Sequence, residues 1–316
     1  LKNVHKLTEG AVLLAVFAVL LMISFYVPVL GLVSTLVLPI PFILFAAKNK
    51  RGDAAVFLVA AVLLSLIVGT ILSIPLTLAF GLTGVVIGDF IREKKENSAI
   101  FIAGSLAFLA ILLLTYAAMN VLFSINFIDE MTKLMLESMN MSRSIVESMG
   151  QNAADIEKAF GQMEAAMKTI ESLIPSVLVL SSLSIVFIIQ LIAFPIVKRF
   201  GVKVNAWKPF ADLSFPKSIL WYYLITMFAV LIMQPEAGTF WYMALSNLTF
   251  ILQLLMILQG LSFVFFYSRL KGWPKAAPIF ILIFTFLIPI LLYIVRILGI
   301  IDIGFDLRKR LDKRDA

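Results

Sequence analysis

Apolar residues run along this chain in blocks long enough to cross a bilayer, broken by short polar segments. The blocks cover residues 10–27, 32–47, 54–72, a fourth that ends at Ile91, 99–123, 174–197, 218–233, 240–267 and 276–298. A spanning helix needs ~20 predominantly apolar residues at ~1.5 Å rise each. The pattern therefore predicts an all-α, polytopic transmembrane helical bundle of eight or nine spans. Pro28 and Pro75 sit at breaks, whereas Pro39 and Pro41 lie inside the second block and Pro278 and Pro289 inside the last, where a proline removes a backbone donor and can kink the helix.

One long stretch, residues 124–173, departs from this pattern. Met149, Ala153, Ile156, Phe160, Met163, Met167, Ile170 and Ile174 recur in steps of three and four, and Ile128, Met131, Met135, Ser138, Ser142 and Ile145 repeat the rhythm more weakly. Such spacing reads as an a/d seam. With Gly150, Gln151 and Asn152 as the turn, it predicts a helical hairpin with arms about 33 Å long. The Met-rich seam either packs arm against arm or offers an adaptable partner surface.

Composition strengthens the membrane reading. Hydrophobic residues make up 61% of the chain and charged residues 14%, against roughly 45–50% and 25% in soluble domains. Charge then orients the spans. Residues 124–173 hold four Lys/Arg and eight Asp/Glu, whereas Lys/Arg gather at the N-terminus and at 48–51, 92–95, 198–217 and 269–275. By the positive-inside rule these loops are cytoplasmic, the N-terminus with them, and the hairpin is extracytoplasmic. The expected setting is a bacterial plasma membrane, with the lipid bilayer as partner and no role for nucleic acid. Lys2 and Lys6 before the first block would suit a signal peptide, but no small-residue cleavage site follows, so the block is read as a retained span. The C-terminal Arg308, Lys309, Arg310, Lys313 and Arg314 belong inside under the same rule. A full ninth span, the preferred count, would put them outside, and a re-entrant or kinked 276–298 would restore eight.

The organisation expected is thus spans 1–5 in residues 1–123, the hairpin in 124–173 and span 6 in 174–198. A cytoplasmic loop follows in 199–217, then further spans in 218–298 and a charged tail in 299–316.

Little in the chain offers catalysis. His5 is the single histidine and there is no cysteine, which leaves no HExxH zinc site, no Ser–His pair within the bilayer and no thiolate chemistry. No GxxxxGK[ST] phosphate loop occurs. Gly88-Asp89 lacks a partner Asp in a neighbouring span, and Asp89 reads as an interfacial acid beside Arg92. The expectation is a protein that is not an enzyme and has no cofactor or metal site.

Other residues are candidates for recognition. Ala11 and Ala15 in the first block, Gly84 and Gly88 in the fourth, and Ala99, Ala103 and Ala107 in the fifth have the small-xxx-small spacing that lets helices approach closely in lipid. Polar residues inside spans are costly and mark ligand contacts or interhelix hydrogen bonds. Tyr116 and Asn120 are candidate ligand contacts. Gln190, Gln253 and Gln259 read as interhelix links, and Arg296 reads as a side chain that snorkels to an interface.

The opening KLTEGAVLLAVFAVLLMISFYVPVLGLVSTLVLPIPFILF and the closing GIIDIGFDLRKRL resemble the YybS-type family of uncharacterised bacterial multispanning membrane proteins, and the likeness covers the whole chain. Residues 10–198 also distantly resemble the substrate-binding S-component of energy-coupling-factor vitamin transporters. Ala11 and Ala15 stand where that family carries its docking AxxxA motif, and Leu38-Pro39-Ile40 matches the turn of its short second helix. That resemblance implies a six-span small-molecule binder, with an energy-coupling transmembrane subunit and ATPases on separate chains as partners. The long hairpin and the spans after Lys198 depart from it. The competing expectation is a membrane scaffold or regulatory protein that recruits an extracytoplasmic partner through the hairpin.

Overall fold

A computed structural model describes residues 2–71, 73–124, 126–148 and 153–312. Its helices are α1 (Lys2–Tyr26), α2 (Pro28–Val37), α3 (Pro39–Lys48), α4 (Arg51–Val68), α5 (Ser73–Arg92), α6 (Asn97–Phe123), α7 (Phe127–Ser148), α8 (Ala153–Ser172), α9 (Ile174–Arg199), α10 (Lys217–Met233), α11 (Phe240–Leu270), α12 (Ala276–Leu287), α13 (Pro289–Phe305) and α14 (Leu307–Asp312). A 3-10 turn, Phe210–Asp212, precedes α10. No strand occurs among the described residues. The protein is an all-α polytopic helical bundle. Among the described residues seven segments are long and apolar enough to cross a membrane, α1, the α2–α3 pair, α4, α5, α6, α9 and α11, and the bent pair α12–α13 makes eight if it is one span. α10 is a shorter apolar helix.

The chain divides into two compact units. One comprises residues 1–160 and 177–206, the other residues 161–176 and 207–316. At the centre of the first lies α3, with every residue from Pro39 to Ala46 buried, as expected of a helix that is apolar all round. Pro39 and Pro41 are tolerated because they fall in its first turn, where backbone N–H groups have no partner within the helix. Phe42 meets Phe17 of α1 and Phe57 of α4 edge-on at 5.1 and 5.3 Å, and Phe45 stacks on Phe57 at 4.4 Å. α5 closes on α3 through small residues. A Cβ on Gly84 would lie 2.7 Å from the carbonyl oxygen of Pro39, and one on Gly88 2.5 Å from that of Ile43. α6 turns Ile100, Gly104, Phe108 and Ile111 inward. Ala99, Ala103 and Ala107, singled out by spacing, lie on its half-buried flank.

One end of this unit gathers its charges. Lys6 pairs with Asp53 at 2.8 Å, Lys48 with Glu9 at 2.7 Å, and Arg51 with Asp89 at 2.8 Å and with Glu93. Arg92 also pairs with Asp89, so that acid is used in a charge network at a helix end.

In the second unit, α11 and α13 are in backbone contact. A Cβ on Gly260 would collide with the carbonyl of Val295, and one on Gly299 with that of Met256. α12 and α13 are bent by 119° at the break before Pro289. This bend bears on the span count. Arg269 at the end of α11 pairs with Asp212 at 2.5 Å, Lys217 at the start of α10 with Asp306 at 2.6 Å, and Arg308 donates to the carbonyl of Ala211 at 2.7 Å. The end of α11, the start of α10 and the end of α13 therefore lie at one end of the unit. α12–α13 is a re-entrant pair, and the chain after Phe305 returns to the end from which α12 set out. This is the shape that the eight-crossing alternative calls for. The helix also continues past Leu298 to Phe305, so residues assigned to a charged tail begin as apolar helix.

The hairpin's arms are described one by one. Both arms are helical, but the turn 149–152 lies outside the described residues, as do the side chains of Ile128, Ala153 and Ile156. Met131, Ile145, Met163 and Ile170 are about half exposed. Met167 is buried, as is Met139, which lies off the expected register. The three-four rhythm records two amphipathic helices.

Candidate functional site

α1 presents one face to the interior through Phe17 and Leu21. Ala11 and Ala15 lie on its other side, exposed. Beside them runs a shallow apolar groove lined by Val12, Ala15, Val16, Val19 and Leu20. This small-residue stripe is free of the unit's own helices. Gly84 and Gly88, by contrast, are consumed in packing α5 onto α3. The same spacing thus serves two ends: one stripe is internal and one is open.

Near the far end of α6, Tyr116 is half buried and its hydroxyl donates to Asn126 Oδ1 at 3.1 Å. Asn120 is exposed one turn on. The two lie on one helix without a hydrogen bond to each other among those found.

Deeper in the first unit are polar groups without a protein partner. Gln190 on α9 is fully buried, and neither its amide oxygen nor its amide nitrogen has a hydrogen-bond partner among the described residues. The hydroxyls of Thr77 and Thr83 on α5 and Ser105 on α6 are in the same condition. Unmet hydrogen bonds in a dry interior cost about 1–3 kcal/mol each, so such groups are rare unless something else engages them. Sequence spacing had assigned Gln190 to interhelix bonding, and it makes no such bond here. The three hydroxyls carry no sequence signal, because Thr and Ser in a span usually satisfy themselves on the preceding turn.

The second unit holds the only buried carboxylate among the described residues. Asp302, 2% exposed in its side chain, accepts from Gln259 Nε2 at 2.5 Å and from Arg308 Nε at 2.9 Å. Gln259 Oε1 accepts the backbone N–H of Phe215 at 2.9 Å, so this glutamine does join elements as its position in a span implied. Arg308 also donates to Ser262 Oγ at 3.0 Å, and its guanidinium lies over the Phe266 ring. Ser262 Oγ in turn lies 2.8 and 2.7 Å from the carbonyl oxygens of Phe210 and Leu213. The network ties α11, α13, α14 and the loop before α10. Near the other end of α11, Asn247 accepts the N–H of Ser176 at 2.8 Å and donates to the carbonyl of Ser172 at 2.7 Å, which caps the start of α9.

Outside the spans two carboxyls titrate below their ordinary range. Asp212 is held down first by the hydrogen bond from Arg269 and Asp306 by that from Lys217, each opposed in part by desolvation.

This is an integral membrane protein of many apolar helices whose polar groups are concentrated in a few buried positions. Residues 15–303 match the family model described as "Predicted membrane protein (DUF2232)", and the chain belongs to that family. It is similar to the uncharacterized protein YybS of Bacillus subtilis (strain 168), with 32% identity over 310 residues that cover 98% of this chain and 99% of that protein. No solved structure matches it.

Proposed function

We propose that the protein is the membrane-embedded small-molecule binding subunit of a transporter, similar in plan to an S-component and energised by ATPases on separate chains. The observation that carries this reading is the open small-residue stripe of α1. Ala11 and Ala15 face away from their own unit beside an apolar groove, which is what close docking of a second transmembrane chain requires. The unpaired buried groups Gln190, Thr77, Thr83 and Ser105 support it, since they supply neutral donors and acceptors for a solute. Tyr116 and Asn120, near the far end of α6, are the candidate contacts for that solute. The basic loops favour an N-terminus in the cytoplasm and a hairpin outside, in a bacterial plasma membrane.

The test is mild affinity purification from native membranes with mass spectrometry of what is retained. Stoichiometric recovery of a coupling subunit and an ATPase pair, lost on Ala15→Leu while the protein stays folded, is expected. Their absence from the wild-type preparation overturns the reading.

A scaffold role is favoured by a different observation. Met131, Met141, Ile145, Met163 and Ile170 expose apolar surface on helices rich in acidic residues, a combination suited to recruiting a protein partner. Recovery of envelope proteins that depends on residues 124–173 would select it.

A further inference from the structure

We propose that the seam where α5, α6 and α9 meet is a site for ordered water, bound by the side-chain amide of Gln190 together with the hydroxyls of Ser105 and Thr83. Gly104 on α6 fixes the place. A Cβ there would lie 3.0 Å from Ile87 Cγ1 of α5 and 3.2 Å from Val186 Cγ1 of α9, so the three helices converge at that level. Gln190 follows Val186 by one turn on α9, Thr83 precedes Ile87 by one turn on α5, and Ser105 adjoins Gly104. Each is therefore within about 6 Å of the convergence, measured along its helix. Helical side chains lean toward the N-terminus of their own helix, which carries the long Gln190 side chain back toward the level of Val186.

Gln190, Ser105 and Thr83 are 0%, 4% and 0% exposed. Gln190 Oε1, Gln190 Nε2, Ser105 Oγ and Thr83 Oγ1 make no hydrogen bond to the described residues. A hydroxyl in a span has an easy remedy, a bond to the carbonyl of the preceding turn, and Thr226 and Thr285 take it, each at 2.7 Å. Ser105 and Thr83 do not. Four such atoms left dry would cost a sum comparable with the whole stability of a domain, so an occupant has to meet them.

Charge and space select that occupant. α6 carries no charged side chain, and those of α5 and α9 are confined to the last turns, where Asp89 and Arg92 pair with each other and Lys198 and Arg199 close α9. An ion would meet no counter-charge on the seam. A solute of many atoms does not fit where one methyl group on Gly104 would already be crowded. Water is neutral, has the size of a single heavy atom, and both donates and accepts, as the amide and the hydroxyls do. About two turns toward the charged end of the unit, Asn97 Oδ1 is unmet as well, a polar step between the seam and bulk water. The inference does not rest on the transporter reading; a solute that engages Gln190 would have to displace this water and open the seam.

Radiolytic footprinting of the purified full chain in oxygen-18 water tests this, because hydroxyl radicals made from bound water mark the side chains beside it where bulk solvent does not reach. Phe194, one turn beyond Gln190, and Phe108, one turn beyond Ser105, are the reporters, and Phe17 on α1 is the buried control. The expected result is oxidation of Phe194 and Phe108 roughly fivefold above Phe17, falling to the Phe17 level in Gln190→Leu at unchanged helical content. Ser105→Ala should lower the Phe108 signal several-fold and gives a second reading if Gln190→Leu does not fold. Labelling no greater than that of Phe17, or undiminished labelling in whichever variant folds, overturns the proposal. So does stoichiometric release of an organic molecule on denaturation, with labelling of the reporters seen only after its removal, since a solute and not water would then meet Gln190 in the resting protein.

Discussion

Gly260 and Gly299 meet with no side chain between their helices: a Cβ on Gly299 would lie 2.9 Å from the backbone nitrogen of Gly260. Neither position can give, because the atoms met are backbone of a packed helix. Gly299→Ala should lower the melting temperature in detergent, at an overpacking cost of about 1–3 kcal/mol. Gly161→Ala on α8 is the matched control. Nothing lies within 4 Å of a Cβ there, so the helix-forming gain of alanine, roughly 0.5–1 kcal/mol, should appear as a small increase in stability. Equal effects at the two sites would contradict the backbone contact.

The Asp302–Arg308 pair should behave as a buried ion pair does. Arg308→Ala strands a carboxylate that is 2% exposed, and a loss of about 3–5 kcal/mol is expected. Asp302→Asn together with Arg308→Met removes both charges, keeps an amide to meet Gln259, and should recover most of that loss. A double mutant as unstable as Arg308→Ala would show that the charges are not what couples these positions.

Much of this architecture was legible in the chain because a bilayer imposes simple rules. Blocks of apolar residues had to become helices, and apart from the start of α1 and the end of α13 the helices begin and end within a few residues of their blocks. Gln259 was legible as a link between helices because an amide in a span must find a partner. What escaped the sequence were relations between elements. Asp302 and Arg308 looked like parts of a charged tail. Only the left-handed turn at Asp306 (φ 50°) brings Arg308 back beneath α13. Gln190 read like Gln259, yet has no hydrogen-bond partner among the described residues, since periodicity places a residue on a face without saying what faces it. The hairpin's rhythm foretold amphipathic helices correctly, whereas what covers their apolar faces requires a second surface in register, which no single helix encodes.

Asp212 supports a pH prediction. Its carboxyl is held below the ordinary range, first by the hydrogen bond from Arg269 and against desolvation. A depressed carboxylate contributes stability above its unfolded pKa of about 3.9 and loses it as pH falls through the folded value. The pair is partly exposed, at 52% and 40%, so the contribution is under about 1 kcal/mol. Asp212→Asn should melt slightly below the wild type at pH 7, and the gap should close as the pH is taken from 5 to 3. A gap that persists at pH 3 would assign the loss to packing instead.

The re-entrant pair makes a claim about sidedness that the absence of cysteine allows to be tested cleanly. Lys208 precedes α10, Lys271 follows α11 and Lys309 follows α13, while Glu236 lies between α10 and α11. If α12–α13 turns back at its 119° bend, Lys208→Cys, Lys271→Cys and Lys309→Cys react with an impermeant maleimide from one side of the membrane and Glu236→Cys from the other. If α12–α13 instead crosses, Lys309→Cys joins Glu236→Cys. The basic residues of the C-terminus argue for the first result, because Arg308, Lys309 and Arg310 then share a side with the basic loops of the same unit. A re-entrant pair also explains why α12 is only 12 residues long. At about 18 Å it is too short to cross a hydrocarbon core of ~30 Å, but long enough to enter one and turn back at Pro289.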